Sequence, residues 1–140
     1  PRVIEYNARF GDPETQVVLP RLKTDFVEIL EAVIDERLES QPIEWSRDAC
    51  ACVVMASGGY PGKYAKGIEI TGLDENGQLA DATVYHAGTM YNDHKFYTNG
   101  GRVLGVTALG NTLNEALKKA YASVEKIRFD GAHYRRDIGK

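Results

Sequence analysis

An α+β fold, with helices before and after a run of short antiparallel strands, follows from three features of the sequence. Phe26, Leu30, Val33, Ile34 and Leu38 recur at helical spacing. Residues 49–109 carry short apolar stretches separated by Gly, Asn and Pro, the pattern of a β meander. Thr112, followed three residues on by Glu115, opens a last apolar stripe with a capping box.

The elements follow in order. Residues 2–6 are short and β-rich and read as a strand that runs into a polar loop. Asp12 before Pro13 predicts an N-cap with proline at the first helical position, and a helix to about Leu22 that Pro20 weakens. Thr24 is expected to cap the second helix, which stops near Ser40 because Pro42 follows. Strands are expected at 49–55, around Ile68 and Ile70, and at 81–86, 89–98 and 102–109. Asn76-Gly77 is a hairpin signal, and Asn99-Gly100-Gly101 should turn the chain between the last two strands. The final helix has its stripe at Leu113, Leu117, Ala120, Val124 and Ile127, and the tail from Phe129 reads as polar and irregular.

One strand with two helices cannot close a core, so residues 1–42 read as an incomplete first unit and 43–140 as a compact second one. An opening at Pro1 rather than Met fits the same expectation of a piece from something longer. With 140 residues, 43% of them hydrophobic, a sizeable core is available. A net charge of −3 gives no global attraction to nucleic acid or anionic membrane, and no apolar run approaches the ~20 residues that span a bilayer. Cys50 and Cys52 fall on one face of a strand, with no second pair to complete a zinc site. They read as reduced, buried cysteines of a cytoplasmic protein.

Chemistry concentrates near the start. Glu5 and Asn7, two apart on an extended segment, project together and offer hard oxygen donors suited to Mg²⁺. On spacing alone the plainer reading leads, a surface Glu and a turn-stabilising Asn. Arg9 offers a fork of donors for phosphate or carboxylate, and Asp12 and Glu14 can meet an amine; alternatively Asp12 caps the helix and pairs with Arg9. The loops at Ser57–Gly62 and Gly100-Gly101-Arg102 suit either tight turns or close approach of a ligand, and backbone amides beside Arg102 suit a phosphate. Ser57 has no partner histidine in the neighbouring sequence for a nucleophilic role, and His86, His94 and His133 show no metal-binding pattern and read as surface or turn residues. Trp45 and the tyrosines are expected to pack the boundary and the sheet.

The run Val3 to Gln16 (VIEYNARFGDPETQ) closely resembles the last ATP-grasp motif of the phosphoribosylamine–glycine ligase family. The resemblance continues in Ser57–Tyr64 (SGGYPGKY), Thr98–Leu104 (TNGGRVL) and Tyr134–Gly139 (YRRDIG), four blocks in the family's order over almost the whole chain. It implies the tail of an ATP-grasp domain, a strand plus two helices, followed by a small antiparallel β-rich domain with a C-terminal helix. It implies ATP and Mg²⁺ (or Mn²⁺) as cofactors, glycine and 5-phosphoribosylamine as substrates, and the remainder of the ATP-grasp chain as partner. Glu5 and Asn7 would hold the metal, Arg9, Asp12 and Glu14 would serve catalysis, and one of Arg135 and Arg136 would bind substrate phosphate; Gly100, Gly101 and Arg102 are expected as substrate-binding residues from the chemistry of their loop. This length alone is expected to be inactive. A β-rich carrier module is the main rival, but its modifiable lysine sits beside methionine, and neither Met55 nor Met90 adjoins a lysine. Another ATP-grasp ligase with a different acceptor is the third reading.

Overall fold

The structure, a computed structural model, describes residues 1–139. Residues 1–14 form no regular element, so the expected strand at 2–6 is absent. A strand needs a partner for its ladder of hydrogen bonds. None pairs with this segment, and Ile4 and Tyr6 are almost fully exposed. Helix α1 covers only Thr15–Val18 and tightens into a 3₁₀ turn at Leu19–Arg21, with Pro20 in it. Asp12 does not cap it; Glu14 occupies that position without a side-chain bond, and the Asp12–Pro13 bond is cis.

Helix α2 spans Phe26–Ile34 and is capped by Asp25, whose carboxylate accepts from the Val27 amide at 2.8 Å. Thr24, the expected cap, instead accepts from the Glu44 amide and helps pin 42–46 alongside 21–24. The helix is shorter than expected, with a separate 3₁₀ turn at Leu38–Ser40. Its apolar stripe is turned outward: of its residues only Ala32 is buried, while Leu30, Val33 and Ile34 are exposed.

Six strands follow: β1 Ala49–Ala56, β2 Glu69–Ile70, β3 Thr83–His86, β4 Thr89–Asn92, β5 Lys95–Thr98 and β6 Arg102–Gly110. They form two three-stranded antiparallel sheets, ordered β1-β6-β3 and β2-β5-β4. β6 lies at the centre of the first and is buried from Val103 to Ala108, which explains its continuous apolar run. Three expectations change. The stretch 89–98 is a hairpin rather than one strand, reversed at Asp93-His94. Residues 99–101 pass from one sheet to the other. Asn76-Gly77 joins no paired strands either: the Asp74 carboxylate accepts from the Asn76 and Gln78 amides and closes a loop. Gly77 is required there, with φ +74° and no room for a side chain beside His86 and Phe96.

Helix α3, Leu113–Val124, begins at Thr112, whose hydroxyl accepts from the Glu115 amide at 3.2 Å; Glu115 returns a bond to the Asn111 amide. It lays Ala120 and Val124, with Ile127 just beyond its end, on the sheet face made by Val53, Met55, Val84, Leu104, Val106 and Ala108. Each such aliphatic side chain contributes about 1.5–3 kcal/mol on full burial, so this seam dominates the fold's stability. Leu113, placed in the stripe from spacing, is half exposed and lines a groove with Leu117, Val17 and Cys50 rather than joining the core. The tail is irregular but not merely polar. Phe129 joins the core, and the His133 and Arg128 backbones pair with Ala56 and Thr71.

Cys50 and Cys52 occupy the other face of β1, towards α1, unpaired and half-buried rather than buried. Burial pushes both thiols up, with the neighbouring Cys52 adding to the effect at Cys50. His86 holds the two sheets together, its ring nitrogens facing Thr89 Oγ1 and the Gly77 carbonyl at 2.9 Å each, and its ring lies against Phe96. Trp45 pairs with Leu22 through its backbone, but its ring stays exposed.

Candidate functional site

The exposed arm ahead of α1 carries a row of polar side chains that converge although no strand holds them. Asn7 Nδ2 donates to Glu5 Oε1 at 2.9 Å, and Arg9 donates to Asn7 Oδ1. The Asn7 amide nitrogen thus lies against the Glu5 carboxylate, and turning that amide over would set its oxygen beside the carboxylate. That donor set suits a Mg²⁺ ion, which takes one or two carboxylates and completes its shell with water and phosphate oxygens. Arg9 now occupies the amide oxygen a metal would use. No group of three or more His, Cys, Asp or Glu side chains able to hold a metal occurs among the described residues.

Further along, Asp12 is the junction of the site. Its carbonyl accepts from Arg102 Nη1 at 2.9 Å and its Oδ2 lies 3.6 Å from the same nitrogen. Its Oδ1 accepts from Gln16 Nε2 at 2.7 Å. The polar arm is thus fastened to the glycine-rich loop at Gly100-Gly101-Arg102. Asp12 pairs with Arg102, not with Arg9. Glu14 does not join them; its carboxylate folds back over Gly11.

The Gly100–Arg102 loop owes its shape to Ser57. This residue is 1% exposed, its hydroxyl donates to the Gly100 carbonyl at 2.8 Å, and its amide donates to the Gly101 carbonyl at 2.8 Å. The Tyr60 ring packs on Gly101 so closely that a Cβ there would stand 2.1 Å from Tyr60 Cδ2. The amides of Gly100 and Gly101 donate to no acceptor among the described residues. Gly101 is buried under the Tyr60 ring and Gly100 is half-buried, so the loop sets the Gly100 amide near the exposed Arg102 guanidinium, donors of the kind that receive oxyanions.

Arg135 and Arg136 diverge. Arg135 makes a two-pronged pair with Asp137, at 2.9 and 2.7 Å, which also raises the arginine's pKa, while Arg136 lies over the Tyr134 ring, 5.0 Å from its centroid. Arg136 has no carboxylate partner within ion-pair distance among the described residues, which leaves its donors available.

Sequence gives no functional role to Gln16, expects Tyr60 to pack like the other tyrosines, and reads Ser57 as a loop residue without a partner for nucleophilic work. Gln16 and Tyr60 stand inside the blocks VIEYNARFGDPETQ and SGGYPGKY, which was the available signal; their partners lie too near or too far in sequence for spacing to reveal them.

The fold and these contacts define a class: a small α+β domain of two antiparallel sheets and one packed helix, with an exposed polar arm latched to a glycine-rich, donor-bearing loop. More particularly, the chain belongs to the family described as phosphoribosylglycinamide synthetase, C domain, whose model matches residues 50–140. A phosphoribosylamine–glycine ligase of Caldanaerobacter subterraneus subsp. tengcongensis is 54% identical over 138 residues, covering 99% of this chain and 32% of the relative. The trifunctional purine biosynthetic protein adenosine-3 of Gallus gallus is 53% identical over 140 residues, 99% of this chain and 14% of the relative. The crystal structure of phosphoribosylamine–glycine ligase from Thermotoga maritima superposes with a TM-score of 0.75 at 38% identity, covering 98% of this chain and 33% of that one. The chain spans about a third of the length of the bacterial ligases it matches.

Proposed function

We propose that this chain is the C-terminal part of an ATP-dependent carbon–nitrogen ligase that joins glycine to 5-phosphoribosylamine in purine synthesis. Residues 1–42 complete an ATP-grasp domain and 43–140 form the domain behind it. The observation that carries this reading is the bond of Arg102 to Asp12, which brings the polar arm and the oxyanion-receiving loop into one site.

In the reaction, an oxygen of the glycine carboxylate attacks the γ-phosphorus of ATP, giving glycyl phosphate and ADP. The amine of 5-phosphoribosylamine then attacks the acyl carbon, phosphate leaves, and the amide loses the extra proton. A free carboxylate resists an amine, so the phosphoryl step supplies the leaving group. Such chemistry depends on placing charge opposite charge more than on covalent help from the protein.

Arg9 is the residue for the transferring phosphoryl group once it leaves the Asn7 amide oxygen, and Asp12 is the residue for the amine; Glu14 joins Asp12 there only when its carboxylate swings off Gly11. The Gly100 amide, with Arg102 and Arg136, receives the ribose phosphate; Arg135 is held by Asp137 and contributes less. Neutralisation of the ATP phosphates is what Mg²⁺ or Mn²⁺ supplies when bound, and Glu5 and Asn7 are the residues that would hold it. The outward stripe of α2 suits burial against the rest of the ATP-grasp chain, and two unpaired cysteines suit the cytoplasm.

The test uses the full-length protein that contains this chain, with ATP, Mg²⁺, glycine and 5-phosphoribosylamine. ADP release should require both substrates and yield glycinamide ribonucleotide, whereas the 140 residues alone should make none. Release that ignores glycine, or that proceeds with another amine in place of 5-phosphoribosylamine, would overturn the assignment.

A further inference from the structure

Cys50 and Cys52 are nucleophilic side chains that the ligase reading leaves unused. They stand two apart on β1, on the face turned towards α1, and neither is in a disulfide. Both are half-buried, and both line a groove of about 290 Å³ walled by Val17 of α1, Leu113 and Leu117 of α3 and Ile138 of the tail. The groove is open to solvent along Leu113, which is 50% exposed.

Neither sulfur is locked in place. The Cys50 thiol has a long, 4.0 Å contact to the Gln16 carbonyl, and the Cys52 thiol lies over Gly105 beside the Thr107 hydroxyl. Thiols make weak hydrogen bonds, so each can turn about its Cα–Cβ bond. Side chains two apart on an extended strand start about 6.8 Å from each other, and turning both thiols inward brings the sulfurs within the span of one bridging atom.

The surroundings select that atom. Zn²⁺ takes four ligands, and no group of three or more His, Cys, Asp or Glu able to hold a metal occurs among the described residues. A monovalent soft cation between two thiolates keeps a net negative charge, which the apolar walls and the Glu14 carboxylate at the groove disfavour. Trivalent arsenic with one organic group is neutral once two sulfurs are bound, and the organic group can lie against Val17, Leu113 and Leu117.

We propose that Cys50 and Cys52 form a dithiol binding site for trivalent arsenicals that bear an apolar substituent. Starting from the dihydroxy form, two As–S bonds form and two As–O bonds break. Each hydroxyl leaves as water with a thiol proton, and no atom changes oxidation state. A reagent that needs one thiolate meets protonated sulfurs here and reacts slowly. An arsenical is retained because, after the first bond, the second thiol is held beside it at high effective concentration. This site is independent of the ligase reading.

The test incubates the reduced full-length protein that contains this chain with an equivalent of phenylarsine oxide, then challenges it with excess glutathione. Intact mass, a count of free thiols after unfolding and peptide mapping are the readouts. The unaltered protein should keep one arsenic and lose two thiols, mapped to Cys50 and Cys52. Cys50→Ser and Cys52→Ser, each checked for folding by circular dichroism, should hold arsenic about a hundredfold or more weakly than the unaltered protein. Methylarsine oxide, which has no ring to fill the groove, should be displaced at lower glutathione. Retention that survives either serine substitution, or loss of arsenic from the unaltered protein under the same challenge, would overturn the proposal. Equal retention of the two arsenicals would overturn the part played by the groove.

Discussion

Arg102 and Asp12, ninety positions apart, meet through a 2.9 Å bond to the Asp12 carbonyl and a 3.6 Å approach to its carboxylate. Both side chains remain over 40% exposed, so screening limits the ion pair to about 0–1 kcal/mol. Its importance is geometric, because together with the Phe10 ring, which packs edge-on against Phe26, it fastens an arm that forms no regular element. Arg102→Ala should therefore leave global stability within about 1 kcal/mol while accelerating proteolytic cleavage among residues 1–14. Unchanged cleavage would show that the arm is held by something else.

Ser57→Ala should cost more. It leaves the Gly100 carbonyl without its donor in a buried place, a loss of about 1–3 kcal/mol in chemical denaturation. The Gly101 amide resonance should shift in parallel, since the same residue holds both carbonyls of the loop.

At Gly101, steric contact is the issue. A methyl group would drive into the Tyr60 ring, so Gly101→Ala should destabilise by about 1–3 kcal/mol. Adding Tyr60→Ala should make the Gly101 substitution nearly neutral in that background. If the two losses simply add, the ring is not the obstacle.

Burial pushes the Cys50 and Cys52 thiols above the ordinary value of 9.0. Both should then react slowly with thiol reagents at pH 7 in the folded protein and quickly after unfolding. The sign for stability follows from proton counting. Above pH 9 the unfolded chain releases these protons first, so the folded state's advantage is complete below that pH and is lost as pH rises through the folded values. Serine at both positions should flatten part of that alkaline decline in urea midpoints.

Glu5→Ala in the full-length enzyme should lower turnover at limiting Mg²⁺ by about tenfold or more, with partial recovery at high metal. Circular dichroism should not change, because residues 1–14 support no regular element. Near-normal rates at limiting Mg²⁺ would remove Glu5 from the metal site.

What sequence made legible was local. The Thr112–Glu115 cap and the runs that became β1 and β6 depend on neighbours within a few residues or on unbroken apolar stretches. The hairpin turn at Asp93-His94 escaped notice because two non-glycine residues take φ of 47° and 60° there, where Gly or Asn is expected. Asn76-Gly77 misled because Asp74 closes that loop by side chain, without strand pairing. Around the site, the period of two brought Glu5 and Asn7 into view. The Arg102 bond to Asp12 and the Ser57 bonds to Gly100 and Gly101 span too many residues for any spacing rule.

The outward face of α2 has a practical meaning for anyone handling the protein in isolation. Leu30, Val33 and Ile34 meet water at a free-energy cost that any covering surface would relieve. Melting temperature and light scattering should thus vary with concentration and with whatever shares the tube. Charged replacements at those three positions offer a route to a better-behaved sample without touching the glycine-rich loop.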